Sequence, residues 1–350
     1  MRIEQKSIWT IDYETQCVIH RDTPETFEEY VAELIDHVGS NTSVREYKTR
    51  SNVTEVIGSI LSLCENLDDN ELIMSRMEGM STRLMQKEVA AQERIEQTNT
   101  NVQKGSLIQA LLYDEASNCY AYLFAKVEHS EWVDDSDFTF KTGFSKDKKT
   151  IWKSCLFDLT DLKATEFLAK IYSNNKAKYW SEGFLELDEM NSDETNTTRA
   201  FKAIDSTLNQ SFRGVPSPDH PIIRNGFVSY LKNNDHIDFR GMVDTILGNY
   251  QPVDQELSVE KIRIMKEKLL EQPQKKNFDH QFNVANNAIN ARIRIVYPIN
   301  DGIDLKVTRD IEDLSGTVQS VEENGVKYIR IRTNNDDTYR KFQMQIVARS

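Results

Sequence analysis

The sequence predicts an α+β fold with a helical N-terminal region, a central antiparallel sheet and a C-terminal α/β region. Three observations support this prediction. Apolar residues recur at helical spacing through most of the first hundred positions, short apolar runs separated by turn residues follow, and helical spacing returns before the final β-hairpins. We therefore divide the chain into residues 1–104, 105–190 and 191–350.

The N-terminal region is predicted to open with two short strands before residue 20 and to continue as helices. Thr23-Pro24 supplies a capping side chain and a proline suited to the first helical position, and the apolar stripe that follows ends at Gly39. Two further helices are predicted over residues 53–64 and from Asn70 to about Gln97. Helices therefore dominate the predicted N-terminal region.

The central region changes to the two-residue period of β-strands. Leu107–Tyr113 and Cys119–Val127 are apolar runs joined by a polar turn, which is typical of a hairpin. Further strands are predicted over residues 138–140, 151–159, 167–172 and 178–187. We expect one antiparallel sheet of about five or six strands.

The C-terminal region is predicted to begin with helices and to end with hairpins. Helices are predicted after Asn191 and at about residues 222–232, 238–249 and 258–271. The final stretch alternates apolar and polar residues, and Asn324-Gly325 between two such runs is a strong hairpin signal. Both kinds of element therefore share this region.

Motifs for most enzyme classes are missing from the sequence. No GxxxxGK[ST], GxGxxG, GxSxG or HExxH pattern occurs, the six histidines are isolated, and the four cysteines form no CxxC pair. We therefore predict no catalytic residue, no metal site and no cofactor.

A metal-dependent nuclease remains an open alternative, because it needs only a few carboxylates and a lysine held together. Asp134–Asp137 is an acidic cluster beside a basic run, and Asp158 and Asp161 precede Lys163. A solvated loop and a strand-to-turn transition are the simpler explanations of the same residues.

Charge is unevenly distributed along the chain. The net charge is −13, and residues 1–100 carry 10 Lys/Arg against 19 Asp/Glu, whereas residues 138–180 carry 9 Lys/Arg against 4 Asp/Glu. Because salt screens charges beyond about 10 Å, a local positive face can bind phosphate on an acidic protein. The candidate nucleic-acid-binding residues are Lys141, Lys146, Lys148, Lys149, Lys153, Lys170, Lys176, Lys178, Arg292 and Arg294.

Aromatic residues lie among these cations. Phe140, Phe144 and Trp152 are interleaved with the first five lysines, and aromatic side chains can stack on bases. A second basic stripe would be added by Arg292, Arg294, Arg330 and Arg332, since alternate positions on a strand face the same way. The alternative interpretation is that these lysines protect sheet edges.

The order of elements resembles the bacterial nucleoid-associated protein family typified by NdpA. The best local matches are Val18-Ile19-His20-Arg21, the Glu29–Leu34 segment and the apolar Leu107–Val127 hairpin. The resemblance covers most of the chain as an order of elements, and it transfers no catalytic or binding residue. It implies association with the bacterial chromosome as a homodimer. Proteins of related architecture include the DNA-binding component of the Kiwa phage-defence system.

We predict a non-enzymatic DNA-binding protein, nucleoid-associated or part of an anti-phage defence system, that contacts the backbone of double-stranded DNA with little sequence preference. One alternative is a regulatory subunit that meets a protein partner through the acidic residues 1–104, and another is the metal-dependent nuclease. No apolar run approaches the roughly 18 residues that cross a bilayer, so we expect a cytoplasmic protein without membrane insertion.

Overall fold

A computed structural model describes residues 1–22, 25–95, 102, 104–133, 140–144, 151–173, 178–290 and 292–343. The chain divides into two units, each with its own core. The first comprises Met1–Ser192 with Asp279–Gln281, and the second comprises Asp193–Phe278 with Phe282–Ser350. The α+β class is confirmed, because helices accompany a large antiparallel sheet.

An antiparallel sheet organises the first unit. Its strands among the described residues are β1 (Arg2–Asp12), β2 (Cys17–His20), β3 (Arg45–Thr49), β4 (Gly105–Asp114), β5 (Cys119–Val133), β6 (Phe140–Phe144), β7 (Ile151–Leu159), β8 (Leu168–Ser173) and β9 (Leu187–Glu189). The spatial order is β2-β1-β4-β5-β7-β8-β3-β9, and β6 pairs with β5. β4 and β5 lie inside the sheet, and their apolar residues are buried on both faces.

The prediction of a separate helical N-terminal region is wrong. β1 begins at Arg2 and pairs with β4, with Ile8 opposite Ile108, and β3 lies between β8 and β9. Trp9 and Ile11 of this strand are buried, and β1 lies between β2, which is close in sequence, and β4, which is distant. Helical periodicity dominated this part of the sequence and gave no sign of the long-range pairing.

Helices cover both faces of the sheet. They are α1 (Glu25–Ser40), α2 (Glu55–Glu65) and α3 (Asn70–Ile95). Val31 and Leu34 of α1 share a core cluster with Leu123 of β5. α2 and α3 pack on the opposite face, in a cluster that contains Phe124. Consecutive residues of β5 thus reach two separate apolar cores.

The strand predicted over residues 178–187 is wrong over most of its length. Tyr179–Phe184 forms a π-helix, and the strand β9 begins only at Leu187. Trp180 and Phe184 are both buried, with ring centroids 5.2 Å apart. Their four-residue spacing is helical, although the aromatic content of the segment had favoured a strand.

The second unit has a helical core. Its helices among the described residues are α4 (Asp193–Ser211), α5 (Asp219–Asn233), α6 (Phe239–Leu247), α7 (Val259–Leu270), α8 (Gln272–Lys276), α9 (Asn286–Asn290), α10 (Leu314–Thr317) and α11 (Asp336–Lys341). Phe278 packs edge-on against Phe239 and Phe282, with ring centroids 5.0 and 6.4 Å apart. Ser258 caps α7, because its Oγ accepts a hydrogen bond from the Lys261 N–H at 3.2 Å. None of the helices in the described ranges has the length and hydropathy that a bilayer crossing requires.

Short strands lie between and after these helices. They are β10 (His236–Asp238), β11 (Gln281–Asn283), β12 (Ile295–Asn300), β13 (Ile303–Val307), β14 (Val318–Glu323) and β15 (Val326–Ile331). β12 pairs with β13, and β14 pairs with β15. Asn324 and Gly325 have φ angles of 52° and 76°, as a type I′ turn requires, so the predicted Asn-Gly hairpin is confirmed.

Candidate functional site

A two-stranded ribbon leaves the sheet at the end of β5. β4 pairs with β5 as far as Glu128, and β7 pairs with it as far as Val127. Beyond this point, within the described residues, His129–Val133 of β5 pairs with β6. We call His129–Val133 together with Phe140–Phe144 the ribbon. The ribbon therefore continues β5 after both sheet neighbours have ended.

A β-bulge marks the place where the ribbon departs. Lys126 faces Lys153, but the next residue, Val127, faces Ile151, so Trp152 is an extra residue in β7. Bulges bend a strand and increase its local twist. The bulge therefore lies in β7, at the last pair that this strand makes with β5 before the ribbon begins.

His129 anchors the base of the ribbon. Its Nε2 lies 2.9 Å from Ser106 Oγ on β4. Burial, with the nearby charges of Arg21 and Lys126, lowers the pKa of the ring below its ordinary value. The neutral ring is thus favoured at neutral pH, and its hydrogen bond ties the first ribbon residue to the sheet.

The ribbon carries the start of the predicted lysine run. Lys141 lies on β6 and pairs in register with Trp132 of β5. Three further lysines fall in the link between β6 and β7, outside the described residues: Lys146, Lys148 and Lys149. In the sequence, these four lysines fall within residues 141–149.

Lys153 does not belong to a surface patch. It occupies the same side of β7 as Cys155 and Phe157, and it is 1% exposed. A phosphate contact needs an accessible ammonium group, so we remove Lys153 from the candidate surface. The two-residue period of a strand already grouped it with Cys155 and Phe157, a signal that the surrounding lysines obscured.

Lys153 instead belongs to a buried ionic cluster beneath α3. Lys126 forms an ion pair with Glu88, and their side chains are 1% and 0% exposed. Lys153 Nζ lies 5.2 Å from the ring centroid of Tyr179. We call Glu88, Lys126, Lys153 and Tyr179 the buried lysine cluster. Glu88, Lys126 and Lys153 are inaccessible to a substrate in this conformation, whereas Tyr179 is half-buried.

Burial shifts the pKa values in the buried lysine cluster. The pKa of Lys153 lies well below its ordinary value, first because burial disfavours the charged form and second because Lys126 is close. The pKa of Tyr179 lies well above its ordinary value, mainly through burial and also through the charge of Glu88. A neutral Lys153 avoids a second buried positive charge that one carboxylate could not compensate.

A buried hydrogen-bond network continues along α3. Gln109 Nε2 donates to the Met77 carbonyl oxygen and to Ser81 Oγ, both at 2.8 Å, and Tyr122 Oη donates to Gln109 Oε1 at 3.0 Å. Ser81 and Glu88 are seven residues apart, so they share the side of α3 that packs on the sheet. Polar residues within an apolar helix stripe were the sequence signal for this network, which the sequence analysis missed.

The remaining predicted lysines have acidic neighbours or are not described. Lys170 is exposed on β8 and pairs in register with Glu46 on β3. Lys178 forms an ion pair with Glu182 at 3.0 Å, and Lys176 lies outside the described residues. These positions do not extend a uniformly positive face.

Arg292 and Arg294 do not form the predicted strand stripe. Both precede β12, which begins at Ile295. Arg294 is exposed, whereas Arg292 is half-buried. Arg330, predicted to join them, forms an ion pair with Glu323 on the neighbouring strand. The second basic stripe is therefore absent from its predicted position.

The carboxylates considered for a nuclease have structural roles where the structure describes them. Asp158 Oδ1 accepts a hydrogen bond from the Thr160 N–H at 3.0 Å, and Asp161 Oδ1 accepts one from the Lys163 N–H at 2.9 Å. Such bonds stabilise turns. The Asp134–Asp137 cluster lies outside the described residues. Elsewhere in the described part of the chain, no three His, Cys, Asp or Glu side chains are grouped to hold a metal.

An open cleft lies in the second unit. Its volume is about 1330 Å³, and α5, the β12–β13 hairpin and the β14–β15 hairpin contribute to its walls. The apolar lining includes Pro221, Val228, Tyr297, Leu305, Val321 and Ile329. We call it the C-terminal cleft. It exceeds the roughly 300–1,000 Å³ of typical small-molecule pockets.

Within the described residues, the ribbon is the strongest candidate for a binding surface. It is a two-stranded projection that bears Lys141, and three more lysines follow in the sequence within residues 145–150. Lys153, by contrast, is buried. Comparisons with protein-family models, with curated proteins and with solved structures find no match for this chain.

Proposed function

We propose that this protein binds double-stranded DNA through the ribbon and catalyses no reaction on it. The ribbon is the observation that supports the proposal, because it continues past the last sheet pairing and bears Lys141. The adjoining link supplies Lys146, Lys148 and Lys149. A two-stranded ribbon fits the major groove, and lysines contact phosphates whatever the sequence. We therefore expect little sequence preference.

The geometry of the ribbon favours DNA over double-stranded RNA. The major groove of B-form DNA is about 12 Å wide and admits a two-stranded ribbon. The major groove of A-form RNA is deep and narrow, so side chains cannot read it. A ribbon that binds in the groove should therefore distinguish the two duplexes.

The proposed setting is the bacterial nucleoid or an anti-phage defence system. Both require contact with DNA of many sequences, which backbone-directed lysines provide. Elsewhere on the protein surface, the net charge of −13 disfavours non-specific contact with DNA. Binding should thus depend on the few lysines at the ribbon.

The test is a titration of a fluorescent 30-base-pair DNA duplex at several salt concentrations. The variant changes the four ribbon and link lysines to glutamate, Lys141→Glu, Lys146→Glu, Lys148→Glu and Lys149→Glu. We expect its affinity to fall and its salt dependence to flatten by about 0.9 in logarithmic slope per lost phosphate contact. An RNA duplex of the same sequence should bind more weakly than DNA.

A matched control changes four exposed lysines of the second unit. The control substitutions are Lys261→Glu, Lys268→Glu, Lys276→Glu and Lys306→Glu. Net charge changes equally in both variants, so the control isolates the position of the charge. Equal affinities and slopes for the two variants would remove the ribbon from the proposal. Nicking of plasmid DNA with Mg²⁺ or Mn²⁺ would instead support the nuclease alternative.

A protein partner at the N-terminal residues is a second candidate function. Glu29, Glu33 and Asp36 are exposed along the outer side of α1, which gives that helix an acidic surface. Deleting residues 1–100 would remove β1 and β3 from the sheet, so substitutions are the sounder test. If Glu29→Lys, Glu33→Lys and Asp36→Lys together leave every recovered partner in place, this candidate fails.

A further inference from the structure

The outer edge of β14, on the side away from β15, carries unpaired backbone groups. Hydrogen-bonded and non-hydrogen-bonded pairs alternate along an antiparallel hairpin. The Arg332 N–H donates to the Thr317 carbonyl oxygen at 2.8 Å, next to the first pair of the hairpin. Counting from there, Ser320 and Glu322 occupy non-hydrogen-bonded positions, so their N–H and C=O groups point away from β15. In the described part of the chain these groups have no backbone partner.

This edge of β14 borders the C-terminal cleft. The consecutive residues Val318–Glu322 line the cleft, whereas β15 contributes only Lys327–Ile329. Successive side chains of a strand point to opposite faces, so a cleft over one face alone would be lined by alternate residues. The longer continuous run on β14 indicates that the cleft follows this strand along its edge. The unpaired groups of Ser320 and Glu322 therefore lie along the cleft.

β12 also borders the cleft, with the consecutive residues Tyr297–Asn300. Pro298 lies within this run and has no N–H to donate. Proline on an edge strand opposes the addition of another strand. Of these two strands, β14 therefore has the edge that is able to pair.

The lining of the cleft indicates which side chains an added strand carries. Its apolar residues suit apolar side chains at every second position of that strand. Among its charged residues, Arg224 forms an ion pair with Asp205. Glu322 lies opposite Lys327 in the hairpin. Arg309 is exposed and has no ion pair within the described residues, so the excess charge of the lining is positive and favours an acidic segment.

We propose that the C-terminal cleft binds an acidic, extended peptide segment of a partner protein, which adds to the outer edge of β14 as a third strand. Backbone hydrogen bonds to Ser320 and Glu322 supply affinity, and the cleft selects apolar side chains at alternate positions. Arg309 attracts the acidic side chains of the segment. An isolated hairpin is marginally stable at best in water, so a third strand also stabilises β14 and β15. The proposal is independent of DNA binding.

Selection from a phage-displayed library of random peptides against the full chain tests the site. The peptides are about ten residues long, which exceeds the six residues of β14. We expect the enriched peptides to alternate apolar and polar residues and to carry a net negative charge. Their affinities are then measured by fluorescence anisotropy with labelled synthetic copies. Failure to enrich any peptide, or enrichment of peptides without this alternation, overturns the proposal.

A matched pair of proline variants locates the added strand. Ser320→Pro removes a donor from the β14 edge, whereas Ile331→Pro removes one from the opposite edge of the hairpin, outside the cleft lining. Both N–H groups point away from the neighbouring strand, so the hairpin keeps its own hydrogen bonds. We expect Ser320→Pro to weaken peptide binding about tenfold and Ile331→Pro to leave it within about twofold. Equal affinities of the two variants overturn the assignment to β14.

A charge variant tests the acidic character of the segment and leaves the backbone unchanged. Arg309→Glu should weaken binding of the enriched peptides about threefold or more at low salt, and the loss should shrink as salt screens the charge. Arg294→Glu is the control, because Arg294 is exposed and does not line the cleft. Unchanged affinity for Arg309→Glu overturns the preference for acidic segments.

Sedimentation of the full chain without peptide tests the other occupant of the cleft, a second copy of this chain. We expect Ser320→Pro to leave the mass of the wild-type particle unchanged. If the wild type self-associates and Ser320→Pro dissociates it, a second copy fills the cleft and the proposal of a separate partner is overturned.

Discussion

Lys126 and Lys153 face each other on neighbouring strands, and both side chains are shielded from water. Glu88 pairs with Lys126 from α3. The charge of the half-buried Glu128 also acts on Lys153. Two buried lysines and one buried carboxylate would still leave an excess positive charge in the core, which the lowered pKa of Lys153 relieves. The stability of this part of the core therefore depends on whether Lys153 is protonated as well as on packing.

We expect Glu88→Gln to lower the free energy of unfolding by about 3–5 kcal/mol, because Lys126 would keep a buried charge without a partner. Glu93→Gln is the control, since Glu93 is exposed on the same helix, and its effect should stay within about 0.5 kcal/mol. Urea unfolding at pH 7 provides the measurement. A loss below about 1 kcal/mol for Glu88→Gln would contradict the prediction.

Lys153 gives the stability a pH dependence of definite sign. Its folded-state pKa lies well below the ordinary 10.5. Between these two values Lys153 binds more protons in the unfolded chain than in the folded chain, so its contribution to stability rises with pH up to 10.5. Lys153→Met removes this dependence, and we expect the variant to be more stable than wild type near neutral pH. The difference should shrink as the pH rises.

Urea midpoints at pH 7, 8 and 9 measure this difference. The range stops short of pH 10, because Tyr179, whose pKa is raised, contributes the opposite slope above that value. A gap between wild type and Lys153→Met that stays constant over this range would contradict the prediction.

Sequence alone could have placed Lys153 on the buried side of β7, because that side is fixed by the alternation with Cys155 and Phe157. It could not have identified Glu88, which reaches Lys126 across 38 positions of sequence. The partner of a buried charge is a property of tertiary packing. The local pattern is therefore enough to place Lys153 on one side of β7. It does not show which residues surround the side chain there.

Among the elements, local patterns succeed where neighbouring residues decide the structure. The Asn324-Gly325 turn is an example, because only residues that accept positive φ fit it. The π-helix at Tyr179–Phe184 is the contrary example. Arg83 of α3 donates hydrogen bonds at 3.0 Å to the carbonyl oxygens of Gly183 and Phe184. This distant side chain stabilises the helical turn, and no pattern within the segment reveals it.

We expect Gly325→Val to loosen the β14–β15 hairpin, because a left-handed conformation costs an ordinary residue about 1–2 kcal/mol and a β-branched one more. Asn324→Gly is the control, since glycine accepts the φ of 52° without strain. Hydrogen exchange of residues 318–331 should accelerate in Gly325→Val alone. The helical core should keep its protection, because these residues do not belong to it. Unchanged exchange in the hairpin would contradict the expected strain.

At the level of the whole molecule, composition and periodicity predicted the α+β class but not the sheet. β1 reaches β4 from about a hundred positions away, and β3 enters between β8 and β9. The order of the strands depends on which apolar faces the helices can cover. That in turn depends on packing across the whole unit and not on any single segment. The same limit applies to the candidate binding surface. The lysine run is visible in the sequence, whereas the ribbon that carries Lys141 is not.

The length of β5 has a consequence for how so acidic a molecule could approach a duplex. The five ribbon pairs extend roughly 17 Å beyond the sheet at about 3.4 Å per residue. This reach is about twice the 8.5 Å depth of the major groove. In the proposed complex, Lys141 lies near the outer end of the described ribbon, and the body stays about one screening length away from the phosphates. In that complex, distance offsets the repulsion between the duplex and a net charge of −13.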